Sequence, residues 1–178
     1  LRYAVDRRQL VLYYQPKWDF HLQAITGAEA LIRWNHPQYG LLSPARFIPI
    51  AEDSGLILPV GEWVLQEAVR EIGQLHRRGF PGLRVAVNLS GRQFHQSGLV
   101  DLVHKILSQD GFDSTCLELE LTESILMHHN EDNIATLKGF KAMGLRLAID
   151  DFGTGYSSMS YLQRFPVDVL KIDRSFVM

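Results

Sequence analysis

An order constrains this chain more than any single residue does: short apolar runs rich in β-branched and aromatic side chains alternate with longer amphipathic stretches along its length. Strand-then-helix alternation predicts parallel strands with helical crossovers, because a parallel neighbour is reached only by a long return. Strands are expected over residues 11–17, 25–34, 83–90, 116–122, 146–151 and 169–176, and helices over 44–53, 60–78, 91–109, 131–143 and 157–164. Gly55, Gly79, Gly111 and Gly144 stand where four of those helices should stop. No low-complexity run, charge block or internal repeat interrupts the pattern, so residues 1–178 read as one α/β domain. Six strands fall short of a closed eight-stranded barrel, which typically takes ~250 residues, and a longer native domain is expected.

Polar side chains recur where four of these strands end: Glu29 in AEALIRW, Asn88 in VAVNLS, Glu120 in LELELTES, and Asp150 with Asp151 in LAIDDFG. In a (β/α) barrel the C-terminal strand ends converge on one mouth, so residues distant in sequence can meet there. Side chains alternate along a strand, which puts Glu29, Leu31 and Arg33 on one face, Ala86, Asn88 and Ser90 on another, and Glu118, Glu120 and Thr122 on a third. Arg33 beyond Glu29 is a candidate phosphate clamp. Burying several carboxylates costs several kcal/mol for each ion unless they are paired or metal-bound, so the cluster calls for a cation. Oxygen donors suit Mg²⁺ or Mn²⁺ and disfavour zinc, which recruits His or Cys. Two such ions ~3.5–4 Å apart would activate water and stabilise a leaving oxygen in phosphodiester hydrolysis.

Asp150 and Asp151 are adjacent, and neighbours on a regular strand face opposite ways. Both serve one site only if the strand turns there, and Gly153 and Gly155 follow at once to supply the freedom. Lys171 shares a face with Val169 and Asp173 and lies toward the same mouth, where an ammonium can orient water or offset charge developing on phosphate. Each residue has a plainer reading alone. The two aspartates could cap a turn, Glu29 pair with Arg33, Asn88 sit in a turn, Glu120 face solvent, Lys171 be a surface cation and Glu123 cap a helix. Their co-occurrence at matched strand ends favours the metal site; Glu118 reads as structural.

Composition removes some classes. A net charge of −2 offers no basic face for polymeric nucleic acid, and no apolar run approaches the ~20 residues of a membrane span, so a cytoplasmic domain without direct membrane contact is expected. Cys116, the single cysteine, falls in an apolar strand and reads as a buried thiol. Asp151–Gly153 spells the DFG of protein kinases, but no glycine-rich phosphate loop accompanies it. His128 and His129, without spaced Cys or His partners, read as a solvated loop.

With YYQPK at residues 13–17, AEALIRWNHP at 28–37, LSPARFIPIAEDSG at 42–55, VNLS at 87–90, ELTES at 120–124, DDFGTGYSS at 150–158 and LKID at 170–173, the whole chain resembles the EAL-domain family of cyclic di-GMP phosphodiesterases. The resemblance implies a modified TIM barrel with an antiparallel first strand. It implies hydrolysis of cyclic di-GMP to linear pGpG with two Mg²⁺ or Mn²⁺ ions. Glu29, Asn88, Glu120 and Asp150 then resemble ligands of the first metal, with Asp150 bridging to a second ion that Asp151 also binds. Lys171 resembles the residue that orients water, Gln15 and Arg33 match positions that contact substrate, and Glu123 resembles the glutamate that steadies the DDFGTGYSS loop. That loop and the helix after it commonly support a homodimer, and family members are commonly fused to sensory or GGDEF domains. Active members also carry a glutamate in a segment resembling AEGVE and a Gln-Gly motif after it. Neither occurs before Met178, so the second metal shell draws on residues that this sequence does not include. The alternative within the family is a catalytically silent receptor for the same nucleotide.

Overall fold

A computed structural model describes residues 1–108, 111–127, 131–153 and 164–176, and the chain divides into two units, Leu1–Val87 and Asn88–Met178. In the first unit, β1 (Leu10–Asp19) and β2 (Ala24–His36), rich in β-branched and aromatic residues, pair as an antiparallel hairpin with Gln15 opposite Glu29. Asp19 makes the turn, its carboxylate accepting from the His21 and Leu22 N–H groups at 2.8 and 2.9 Å. β3 (Gly40–Leu42) folds back on β2, a strand additional to the six expected. Three residues are too few to show an alternation. What forms β3 is the tight turn before it, where His36 Nδ1 accepts from the Gln38 and Tyr39 N–H groups at 3.1 and 3.3 Å. β4 (Arg84–Leu89) runs parallel to β2, with Gly27 opposite Arg84 and Glu29 opposite Ala86.

The helix expected over 44–53 begins as a 3₁₀ turn at Pro44–Arg46 and continues as α1 (Ile48–Ser54). α2 (Ile57–Arg77) buries Val60, Val64, Leu65, Ala68, Val69 and Ile72, the stripe that a helical period of 3.6 lays on one face. Each large aliphatic side chain so buried contributes about 1.5–3 kcal/mol relative to exposure. The four glycines expected to stop helices all take positive φ.

In the second unit the helix expected over 91–109 is two. Ser90 opens α3 (Gly91–Phe94) through a capping box, its hydroxyl accepting from Gln93 N–H while the Gln93 amide oxygen accepts from Ser90 N–H. Gly98, at φ +78, then resets the chain before α4 (Leu99–Leu107). Cys116 is buried as expected but sits in a 3₁₀ turn, Ser114–Cys116, because Asp113 caps that turn through Thr115 N–H at 3.0 Å. β5 (Leu117–Thr122) follows, with residues 117–121 buried on both faces as in a covered parallel sheet. α5 (Glu123–Met127), which was not expected, and α6 (Glu131–Ala142) precede β6 (Arg146–Phe152).

β6 is parallel to β5, and β7 (Val169–Ile172) is parallel to β6. β7 ends four residues before the expected 176, because Asp173 caps a 3₁₀ turn at Arg174–Phe176 by accepting from Ser175 N–H at 2.9 Å. The α/β class and the antiparallel first strand are therefore as expected. Residues 157–163 of the last expected helix, residues 154–158 of the loop assigned to dimer contact, and His128 and His129 lie outside the described residues. Among the described residues no helix is long and apolar enough to cross a membrane.

Candidate active site

Three parallel strands of the second unit carry the centre of the candidate site. β5 and β6 register Glu120 against Ala148 and Thr122 against Asp150, so Glu120 and Asp150 share a face two residues apart along the strands. Lys171, next after the Ile149–Leu170 rung, extends onto that face: its Nζ donates to Glu120 Oε2 at 2.6 Å and to Asp150 Oδ2 at 2.8 Å. The Glu120 side chain is 0% exposed and those of Lys171 and Asp150 are 25% and 22% exposed. The trio therefore lies at the edge of solvent, with its glutamate fully inside.

The paired aspartates solve their geometric problem at Asp151 itself. Asp151 takes φ +53, and the ladder to β7 shifts register between Ile149 and Phe152. The turn therefore precedes the glycines expected to supply it, and Gly153, at φ +97, extends it. Asp tolerates the left-handed region better than most residues. Asp151 N–H donates to Asp150 Oδ1 at 2.9 Å, which leaves Oδ2 to Lys171. Partial burial pushes the Asp151 carboxyl above its usual range, and the charges of Asp150 and Asp173 push the same way against the opposing pull of Lys171. Glu123 is 7% exposed and its Oε2 accepts from Gly153 N–H at 3.0 Å, tying the start of α5 to the segment after the paired aspartates. Glu118 pairs with Arg146 at 3.4 Å, away from this centre.

The other candidates are placed by their own strands. Glu29 is half-buried in the middle of β2, between Gln15 of β1 and Ala86 of β4, so Gln15 and Glu29 share a face. Arg33 donates through Nη1 to the Ile32 carbonyl at 2.8 Å and lies 5.6 Å from the centroid of the Tyr13 ring. That backbone bond uses one of its five N–H donors. Asn88 is exposed, two residues after Ala86 on the same face of β4. One pair escaped the sequence reading: Lys141 Nζ lies 2.7 Å from both carboxylate oxygens of Asp168. Residues 27 apart leave no periodic signal to find them by.

The donor set fits a hard cation. Carboxylate oxygens of Glu120 and Asp150 lie within 4.8 Å of each other, and the Asp151 carboxyl, pushed up in part by the charge of Asp150, adds a third acidic group. All three offer oxygen, which suits Mg²⁺ or Mn²⁺.

Parallel strands whose C-terminal ends gather carboxylates around a lysine define an α/β domain with an acidic centre. The EAL domain family model matches residues 1–178, and the chain belongs to that family. It is 48% identical over 177 residues to the bifunctional diguanylate cyclase/cyclic di-GMP phosphodiesterase MucR of Pseudomonas aeruginosa, covering 99% of this chain and 26% of MucR. It is 46% identical over 178 residues to the cyclic di-GMP phosphodiesterase NbdA of the same organism, covering 100% of this chain and 23% of NbdA. The chain thus spans about a quarter of the length of these relatives. The solved complex of the PaMucR phosphodiesterase with c-di-GMP superposes with a TM-score of 0.94 at 48% identity, covering 99% of this chain and 71% of that one.

Proposed function

We propose that this domain hydrolyses one phosphodiester bond of cyclic di-GMP to give linear pGpG, with Lys171 aligning the attacking water. The observation that carries the reading is the Lys171 ammonium held between Glu120 and Asp150 at 2.6 and 2.8 Å. Membership of the EAL domain family and close relatives named as cyclic di-GMP phosphodiesterases support the substrate.

Glu29, Asn88, Glu120 and Asp150 would hold a first Mg²⁺ or Mn²⁺, and Asp150 with Asp151 a second. When bound, such ions supply positive charge that acidifies water and offsets charge on the phosphate. The chain's own groups do the rest. Two carboxylates fix the direction of Lys171, so its N–H groups hydrogen-bond one lone pair of a water and leave the other to form the new P–O bond as the bond to a ribose oxygen breaks. That oxygen takes up a proton while the water gives one up. Arg33 clamps a phosphate oxygen with donors beyond the one given to Ile32, and Gln15, on the face of Glu29, contacts the substrate. Glu123 holds Gly153, and through it the turn that follows the two aspartates. Residues 150–164 serve a second copy of the chain, and fusion to GGDEF or sensory domains supplies regulation. The proposed second-messenger substrate supports a cytoplasmic location for the domain.

Steady-state hydrolysis of cyclic di-GMP in Mg²⁺ tests the ligand set. Glu29→Ala is expected to abolish turnover, and near-normal rates in that variant would overturn the assignment.

A further inference from the structure

β7 has four residues, and its ladder to β6 is interrupted where it matters. Ala148 pairs with Val169 and Ile149 with Leu170, but the register shifts before Phe152 meets Ile172, leaving Lys171 beside the irregularity. A strand this short, broken at its functional end, takes its register from the other end. There, Asp168 occupies both backbone groups of Leu147. Asp168 N–H donates to the Leu147 carbonyl at 2.9 Å, and Leu147 N–H donates to Asp168 Oδ2 at 2.8 Å. The N–H and C=O of one residue point to the same side of a parallel strand, so the Asp168 carboxylate stands where a neighbouring backbone carbonyl would serve. Lys141 Nζ holds that carboxylate at 2.7 Å from each oxygen and also donates to the Leu145 carbonyl at 3.1 Å.

We infer that Asp168 is a positioning residue: by clipping the start of β7 to Leu147 it sets the register that puts Lys171 Nζ between Glu120 and Asp150. The inference rests on the role proposed for Lys171. A slip of one residue turns Lys171 to the opposite face of the strand, and a slip of two carries it ~6.6 Å along β7. Asp168 acts through the strand.

The test uses Mg²⁺-loaded protein with cyclic di-GMP for kinetics, and metal-free, substrate-free protein for amide hydrogen exchange. Asp168→Ala removes the side-chain half of the clip, leaving only the Asp168 N–H bond to the Leu147 carbonyl, and is expected to lower kcat about 10²-fold with KM within about 2-fold, the loss that follows from a misplaced catalytic group. Exchange should rise at least ~10-fold, confined to Leu147 and β7, because local opening and not global unfolding is involved. Asp168→Asn keeps an oxygen for Leu147 N–H, and Lys141→Met removes only the ion pair; both should keep kcat within about 3-fold. A purely structural ion pair would be damaged equally by all three variants, with exchange rising throughout the chain, and that outcome would overturn the inference. So would wild-type kcat in Asp168→Ala. If Lys171→Met itself keeps wild-type turnover, the catalytic reading fails, and the exchange pattern still decides whether Asp168 sets the register.

Discussion

At Asp151 the backbone enters the left-handed region, at φ +53, and that one torsion decides how two adjacent aspartates belong to one site. The sequence shows the pair and the need for a turn. It does not show that the turn falls on an aspartate, because Gly153 is the obvious candidate two residues on. Lys171 offers the sharpest test at this scale. Its ammonium is shared by a side chain that is 0% exposed and one that is 22% exposed. Removing one partner of a fully buried pair costs 3–5 kcal/mol, and partial exposure of Lys171 and Asp150 reduces that to about 2 kcal/mol. Lys171→Met should therefore unfold at lower denaturant than the wild type in chelator, and an unchanged midpoint would mean that the trio contributes nothing to the fold.

Elements are positioned by contacts that periodicity does not report. β2 and β4 approach so closely that a Cβ on Gly27 would lie 2.6 Å from the Arg84 carbonyl oxygen. Gly27→Ala should cost about 1–3 kcal/mol in denaturant titration, because backbone must move to admit the methyl. The fastening of β7 has a pH signature. Burial pushes the Asp168 carboxyl up, but Lys141 and the Leu147 N–H outweigh it and hold the group below its ordinary range. A depressed folded-state pKa gives stability that is present above the unfolded value of about 3.9 and lost as pH falls through the folded one. Acid titration of stability below about pH 4 should be steeper in the wild type than in Asp168→Asn, and equal slopes would remove the pair from the ledger of acid sensitivity. Long strands and helices were legible because their periods repeat. β3 (Gly40–Leu42), the break between α3 and α4, and the early end of β7 were not, because each is set by a local cap or turn: His36, Gly98 and Asp173.

For the whole molecule, the alternation of strands and helices carried the fold class, and polar residues near the ends of β5, β6 and β7 carried the centre of the candidate site, whereas Glu29 stands in the middle of β2. Glu120, Asp150 and Lys171 come together in the second unit as three strands in parallel register require. The Asp168–Lys141 fastening beneath them was invisible, since no spacing rule joins residues 27 apart. Only an assay of the intact domain tests the proposed chemistry at once. The decisive measurement is chromatography of cyclic di-GMP incubated with the protein and Mg²⁺. The account predicts accumulation of linear pGpG, with loss of about 10²–10³-fold in rate on Lys171→Met; tight nucleotide binding without product, or full product formation by that variant, would contradict it.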